Sequence, residues 1–213
     1  MPRLATIVVL SVFAAACQGG GGPGATGGPQ PAEHSLAGIA AQHVAVLPAY
    51  TVRLMPDWNM SIPRPPELLM QLDADILAAM DERGLRKAWV FPAQLERSYE
   101  HNTTYATDPH AFAEEPLRSP GLAVDMRLPE PLASQVRTLV AFEQDVRLVL
   151  APVELRLEKA GNGGRGVLRL VLIDARLSNV RWYGDVVSDT VSTFGPAVTA
   201  SIAARLAGVV APQ

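Results

Sequence analysis

The sequence predicts an α/β (α+β) sandwich, in which about three helices pack on a mixed sheet of about five strands. Three consecutive strands are indicated between Val146 and Asp189, where apolar residues alternate and a Gly-rich turn falls at Gly161–Gly166. Upstream, segments with helical spacing of apolar residues alternate with short strand-like runs. The chain has 213 residues, 48% of them hydrophobic, which is enough for one well-cored domain and its tails.

The upstream half of the domain alternates strands and helices. A strand is predicted at His43–Met55, where Pro48 indicates an edge position or a bend. A helix follows at Glu67–Arg83, with its apolar residues at helical spacing. A short strand at Lys87–Phe91 and a second helix at Pro131–Glu143 complete this half.

The first strand of the C-terminal meander changes phase in its middle. Two apolar sets alternate one residue out of step, Val146, Leu148 and Leu150 and then Val153, Leu155 and Leu157. Side chains in a strand have period two, so such a slip exchanges the two faces of the sheet. Pro152 lies at the slip and cannot donate a ladder hydrogen bond. We therefore expect a β-bulge or bend there.

The rest of the meander reads as one central and one half-buried strand. Val167–Ile173 is apolar on both faces apart from Arg169, which favours a central position covered on both sides. The third strand alternates an apolar set, Val180, Trp182 and Val186, with a polar one, Arg181, Tyr183 and Asp185. Pro196 marks the start of a final helix that carries Val198, Ile202 and Leu206 at four-residue spacing.

The least regular segment is a long loop at about 93–121. Loops of this length in a compact domain are usually functional or disordered. It carries the candidate partner-binding residues Tyr99, His101, Tyr105, His110 and Phe112. Tyrosine in a polar loop is typical of contact surfaces, but these rings could equally pin the loop onto its own domain. The alternating residues from Leu122 to Leu128 predict a short strand after the loop.

The first 35 residues read as an export signal followed by a tether. Met1–Cys17 has one Arg, an apolar run too short to span a bilayer, and three alanines before the cysteine. Ala14-Ala15-Ala16-Cys17 resembles the lipobox of bacterial lipoproteins, which implies that Cys17 carries the lipid. The alternative is an ordinary signal cleaved after the alanines. Residues 18–35 are Gly/Pro-rich and predict a flexible tether, leaving 36–213 as one domain.

Several functional classes find no support in the sequence. The net charge of −3 and the scattered arginines do not predict a nucleic-acid groove. No nucleophile elbow, phosphate loop, H-E-x-x-H or C-x-x-C motif is present. His101, Asp108 and His110 are metal-ligating residue types, yet no third histidine lies near them, so we expect solvated side chains and no metal or cofactor. We therefore expect a protein that is not an enzyme.

The domain also resembles a broad group of bacterial envelope lipoproteins. The residues that carry the resemblance are the VAVLP opening, the APVEL strand, VRWYGDVVSD and the closing Ala-rich helix. The group includes the curli-secretion lipoproteins (CsgG-like), the amino-terminal domain of TolB and penicillin-binding-protein activator lipoproteins.

The resemblance implies a lipid-anchored periplasmic protein that binds or scaffolds an envelope protein or glycan. Gln18 after the cysteine implies the periplasmic face of the outer membrane. The alternative is an oligomeric component of an envelope export or assembly machine. A periplasmic hydrolase is a third reading, for which no motif is present.

Overall fold

The computed structural model describes residues 36–192 and 194–212. The α-helices are α1 Pro65–Glu82, α2 Pro92–His101, α3 Leu132–Leu139 and α4 Pro196–Val210. The strands are β1 Val44–Val46, β2 Thr51–Leu54, β3 Trp89–Val90, β4 Leu148–Ala160, β5 Gly163–Asp174 and β6 Asn179–Val187. Within the described ranges, no helix is both long enough and apolar enough to cross a membrane. The predicted signal, its Cys17 and the predicted tether lie outside the described residues.

All six strands form one mixed sheet in the order β3-β1-β4-β5-β6, with β2 also beside β4. β1 pairs in parallel with both β3 and β4, and β2 pairs in parallel with the far half of β4. β4, β5 and β6 are antiparallel neighbours and form the predicted meander. The central position predicted for β5 is confirmed, because it lies between β4 and β6 and its apolar residues are buried on both faces.

The predicted irregularities at Pro48 and Pro152 are confirmed and lie at the same level of the sheet. The β4–β5 register shifts between Pro152 and Glu154, so Val153 is an extra residue on β4. Beside it, the chain that was expected to form one bent strand divides into β1 and β2 around Pro48. β1 pairs before the bulge and β2 after it.

One face of the sheet is covered by α1 and α4. Leu72, Ile76 and Met80 of α1 and Val198, Ile202 and Leu206 of α4 share one buried cluster with residues of every strand. Gly166 on β5 lets α4 approach closely, since a Cβ there would lie 2.7 Å from Cγ1 of Val198. The expectation that the final helix lies on the sheet is confirmed.

The opposite face is covered over only part of its length. α2, α3 and the segment between them pack on the half of the sheet that includes Val149, Val171 and Ile173. Toward the β4–β5 turn the same face becomes polar. There Asp185 accepts hydrogen bonds from Arg156 at 2.5 Å and from Arg169 at 3.2 Å. All three side chains are largely buried, so this is a compact ion-pair network rather than a solvated charge pattern.

The structure differs from the sequence expectations in several elements. Within residues 36–192 and 194–212, the numbers of strands and of α-helices are each one higher than expected, and α3 is shorter than the predicted Pro131–Glu143. Residues 122–128 are not a strand, although Arg127 makes one isolated bridge to Asn179 at the start of β6. Val180 lies in the core cluster opposite that of Val186, because a register shift between Leu172 and Ile173 offsets the first residues of β6.

The Gly-rich segment does more than turn the chain. The β4–β5 turn consists only of Gly161 and Asn162, while Gly163, Gly164 and Gly166 lie within β5. A Cβ on Gly163 would lie 2.1 Å from the carbonyl oxygen of Val191. The glycines within β5 are therefore required by close packing of other segments and not by turn geometry.

Candidate functional site

The candidate site lies in the segment between β3 and α3, which was expected to be a long loop. About its first quarter is the helix α2, and a short 3-10 helix forms at Glu115–Arg118. α2 begins at Pro92 directly after β3, so it starts beside the carboxyl ends of the parallel strands β1 and β3. Ligands of open α/β sheets are commonly bound beside the carboxyl ends of such strands, where neighbouring connections leave on opposite faces.

Tyr50 and Phe112 attach the segment to the sheet. Their rings stack with centroids 6.1 Å apart and an angle of 13° between planes, and Phe112 is buried in the core. The Tyr50 hydroxyl donates to the carbonyl oxygen of Pro109 at 2.7 Å. Burial raises the pKa of the Tyr50 phenol above its ordinary value. Phe112 therefore packs the segment onto its own domain, the alternative that the sequence left open for these aromatic residues.

A half-buried carboxyl group lies beside this attachment. Asp73 of α1 accepts a hydrogen bond from the backbone N–H of Ala49 at 2.9 Å through Oδ1. Burial raises its pKa from 3.8 to about 7, against the opposing effects of that hydrogen bond and of the nearby His110 charge. Asp73 was not identified from sequence, where it reads as one of several polar positions on α1.

The two predicted histidines are not brought together. His110 Nε2 lies 2.8 Å from Glu96 Oε1, and its backbone N–H donates to Asp108 Oδ1. His101 Nδ1 instead lies 2.7 Å from the carbonyl oxygen of Arg97, one turn earlier on α2. Among the described residues, no cluster of three or more His, Cys, Asp or Glu side chains has an arrangement able to hold a metal ion.

A groove of about 390 Å³ runs along the outer side of α2. Its lining residues are polar except for one aromatic: Gln94, Arg97, Ser98, His101, Asn102 and Phe142. Phe142 follows α3 and is 43% exposed. Tyr105, which is 74% exposed, donates its backbone N–H to the carbonyl of Asn102 and so lies close to the lining residues. Tyr99, on α2, is half-buried.

Hydrogen bonds beneath the groove hold α2 against the turn that carries Phe142. The largely buried Glu143 accepts from Ser98 Oγ at 2.5 Å and from Gln94 Nε2 at 3.0 Å. Sequence reasoning missed Phe142. The available signal was that Phe142 departs from the helical spacing of the buried residues Leu132, Val136 and Leu139.

The groove has the residue types of a hydrolase triad without its geometry. A triad requires the hydroxyl to bond to the imidazole and the imidazole to the carboxylate. Here Ser98 donates directly to Glu143, and His101 bonds to a backbone carbonyl of its own helix. Among the described residues of the groove, the hydroxyl, imidazole and carboxylate are thus not joined in the order that a triad requires.

Comparison with known proteins returned matches only among solved structures. No family model and no curated protein matches the chain. The PelC dodecamer from Paraburkholderia phytofirmans has a TM-score of 0.35 and 16% identity, covering 88% of this chain and 94% of that chain. The LpoB C-terminal domain from Salmonella enterica has a TM-score of 0.33 and 15% identity, covering 70% and 84%.

The lipoprotein GNA1162 from Neisseria meningitidis is a third similar structure. Its TM-score is 0.32 at 16% identity, and the match covers 68% of this chain and 77% of that chain. Scores at this level describe a weak similarity of fold and assign no function. The similar structures thus include a bacterial lipoprotein, while the narrower resemblance to curli-secretion lipoproteins and TolB stays a prediction.

Proposed function

We propose that this protein is a non-catalytic, lipid-anchored component of the bacterial cell envelope that binds a protein or glycan partner through the α2 groove. The observation that carries the proposal is the pair of exposed aromatics, Tyr105 and Phe142, beside a polar groove. Aromatic side chains supply much of the binding energy in protein contacts, and polar neighbours give orientation. The hydrogen bonds that Glu143 accepts hold the groove in place before a partner binds, which lowers the entropic cost of binding.

The anchor part of the proposal rests on Cys17 and its lipobox-like context. Two or more acyl chains hold a protein stably at a membrane where one chain does not. Gln18 after the cysteine favours the periplasmic face of the outer membrane. Cys17→Ser should move the protein from the membrane fraction to the soluble fraction. Retention of this variant in a carbonate-washed membrane pellet would show that the anchor lies elsewhere.

Partner capture tests the groove. The chain is cross-linked mildly in cells, extracted gently in detergent, and assayed for a second component in fixed ratio. Tyr105→Ala and Phe142→Ala should each reduce that component about tenfold, as expected for exposed aromatic anchors. Met70→Ala is the matched control, because Met70 is a similarly exposed apolar residue on α1, on the opposite face of the sheet. Unchanged capture in both groove variants would remove the groove from the proposal.

The alternative, an oligomeric assembly component, is favoured by the open end of the sheet. β6 is the last strand of the sheet, and within the described residues no strand lies beside its outer edge beyond Val180. Unpaired edges are sites for strand addition. The mass of the extracted particle distinguishes the two functions. A homogeneous ring of this chain alone would favour the assembly role.

A further inference from the structure

A second groove, of about 330 Å³, lies at the end of the domain where the chain enters from the tether. Its lining includes Ile39, Gln42, Arg147, Asp174, Arg181 and Trp182. Residues 36–42 precede β1, and the buried Leu36 joins the core there. The groove is therefore next to the point at which the described domain continues toward Cys17.

The two arginines of this groove have N–H donors that remain available to a ligand. Arg147 bonds through Nε and Nη2 to one oxygen of the buried Asp174, at 2.8 and 2.7 Å, yet its side chain is half-exposed. Arg181 is half-exposed as well and reaches Asp125 only at 3.4 Å. Each guanidinium has five N–H donors, so both have donors left for an anionic ligand.

The turn beside the groove adds an exposed apolar residue and another arginine. Arg176 and Leu177 occupy the β5–β6 turn, and Leu177 is 52% exposed. The other oxygen of Asp174 accepts their two backbone N–H groups at 3.0 Å and fixes the turn. The Arg147 guanidinium and these N–H groups outweigh the effect of burial and hold the pKa of Asp174 below its ordinary value. The turn is thus held by a carboxylate that stays ionised.

Arginines around an exposed apolar tip are typical of surfaces that bind phospholipid headgroups. Guanidinium groups bind phosphate in a bidentate manner, and an apolar side chain can enter the boundary between headgroups and acyl chains. The tether places such a surface near a membrane. Eighteen residues, 18 to 35, separate Cys17 from the described domain, and a chain of that length spans at most about 65 Å.

We propose that this tether-end surface, defined by Arg147, Arg176, Leu177, Arg181 and Trp182, docks on anionic phospholipid in the membrane that holds the lipid anchor. The inference extends the proposed function, since it takes the anchored envelope location from it. Docking would orient the domain, with the β4–β5 turn and the polar sheet face directed away from the bilayer. The tether then keeps the domain close to a defined membrane contact instead of allowing it to rotate freely.

The test uses the mature chain, residues 17–213, with Cys17→Ser, so that no acyl chain contributes to binding. Both described core clusters are built from residue 36 onward, so this chain is expected to fold. Its sedimentation with vesicles of phosphatidylglycerol and phosphatidylethanolamine is compared with that on phosphatidylcholine vesicles. We expect binding to the anionic vesicles only, and a loss of about fivefold in partitioning for each of Arg176→Glu and Arg181→Glu.

The control reverses the same charge at the other end of the sheet. The control variants are Arg53→Glu and Arg165→Glu. Arg53 lies on β2 and Arg165 at the start of β5, both near the β4–β5 turn. These variants should bind as the parent does. Absence of binding, equal binding to both vesicle types, or an equal loss in the control variants would overturn the docking surface. Arg176→Glu keeps the test valid if Arg181→Glu fails to fold, because Arg176 is exposed and has no ion pair among the described residues.

The outcome is independent of the anchor. If Cys17→Ser stays in membranes after a carbonate wash, which removes protein bound only at the surface, the anchor proposal fails, whatever the vesicles show. If the vesicle assay fails while Cys17→Ser is released from the membrane fraction, only the docking surface is refuted.

Discussion

The half-buried Asp73 carboxyl makes the stability of the domain depend on pH, and Asp73→Asn should abolish this dependence. Its pKa rises from 3.8 to about 7 on folding. The folded protein thus holds a proton that the unfolded chain releases, and folding stability is lost as the pH rises from about 4 to about 7. A shift of about 3 units corresponds to about 4 kcal/mol. Asparagine keeps the oxygen that accepts from the Ala49 N–H but cannot ionise.

The magnitude follows from this linkage. At pH 4 the variant and the parent should have nearly equal free energies of unfolding. At pH 8 the variant should be more stable by up to about 4 kcal/mol, because the parent then carries a half-buried charge. For a domain of this size that is an increase of about 8–16 °C in melting temperature.

Urea unfolding of both proteins at one-unit steps from pH 4 to pH 8 measures the effect. The difference between the two proteins cancels the contributions of titratable groups that do not interact with Asp73. Asp81→Asn is the control, since Asp81 is exposed on the same helix and its pair with Arg86 contributes little. A difference that is constant across the pH range, or a variant less stable at pH 8, would refute the assignment of a raised pKa to Asp73.

Two further substitutions test the packing of the sheet. Gly163→Ala should destabilise the domain by about 1–3 kcal/mol, because the new Cβ meets the backbone of Val191, and thermal unfolding measures the loss. A change below about 0.5 kcal/mol would show that the segment after β6 is not held as described. Asp185→Ala should cost about 2–4 kcal/mol in urea unfolding, because Arg156 and Arg169 lose a shared carboxylate. The double variant Asp185→Ala/Arg169→Leu should recover part of this loss, and no recovery would contradict the shared-partner account.

The parts of the fold that were predictable are those with a regular apolar period. The phase change at Pro152 predicted the bulge, because a period of two makes a single extra residue visible in sequence. Helix α4 was visible for the same reason, with its apolar stripe at four-residue spacing. Helix α2 was missed because Leu95 is its only fully buried residue, so it has no stripe to detect.

The candidate site was only partly predictable, because its contacts join residues that are far apart in the chain. The segment containing Tyr105 was identified from its aromatic and polar composition. That composition could not separate the buried Phe112 from the exposed Tyr105, since the stacking partner Tyr50 lies on the other side of α1 in sequence. The raised pKa of Asp73 likewise depends on burial by distant segments. Spacing along one chain does not contain this information.

The bulge at Val153 decides which length changes β4 can tolerate. Deleting this one residue would leave Pro152 and Glu154 as consecutive partners of Leu170 and Arg169, so both halves of β4 would keep their faces and the ladder would become regular. The deletion would remove the buried Val153 side chain and the local bend of the strand. Among diverged relatives, we therefore expect single-residue length changes at the bulge and at Asn162, in the exposed β4–β5 turn.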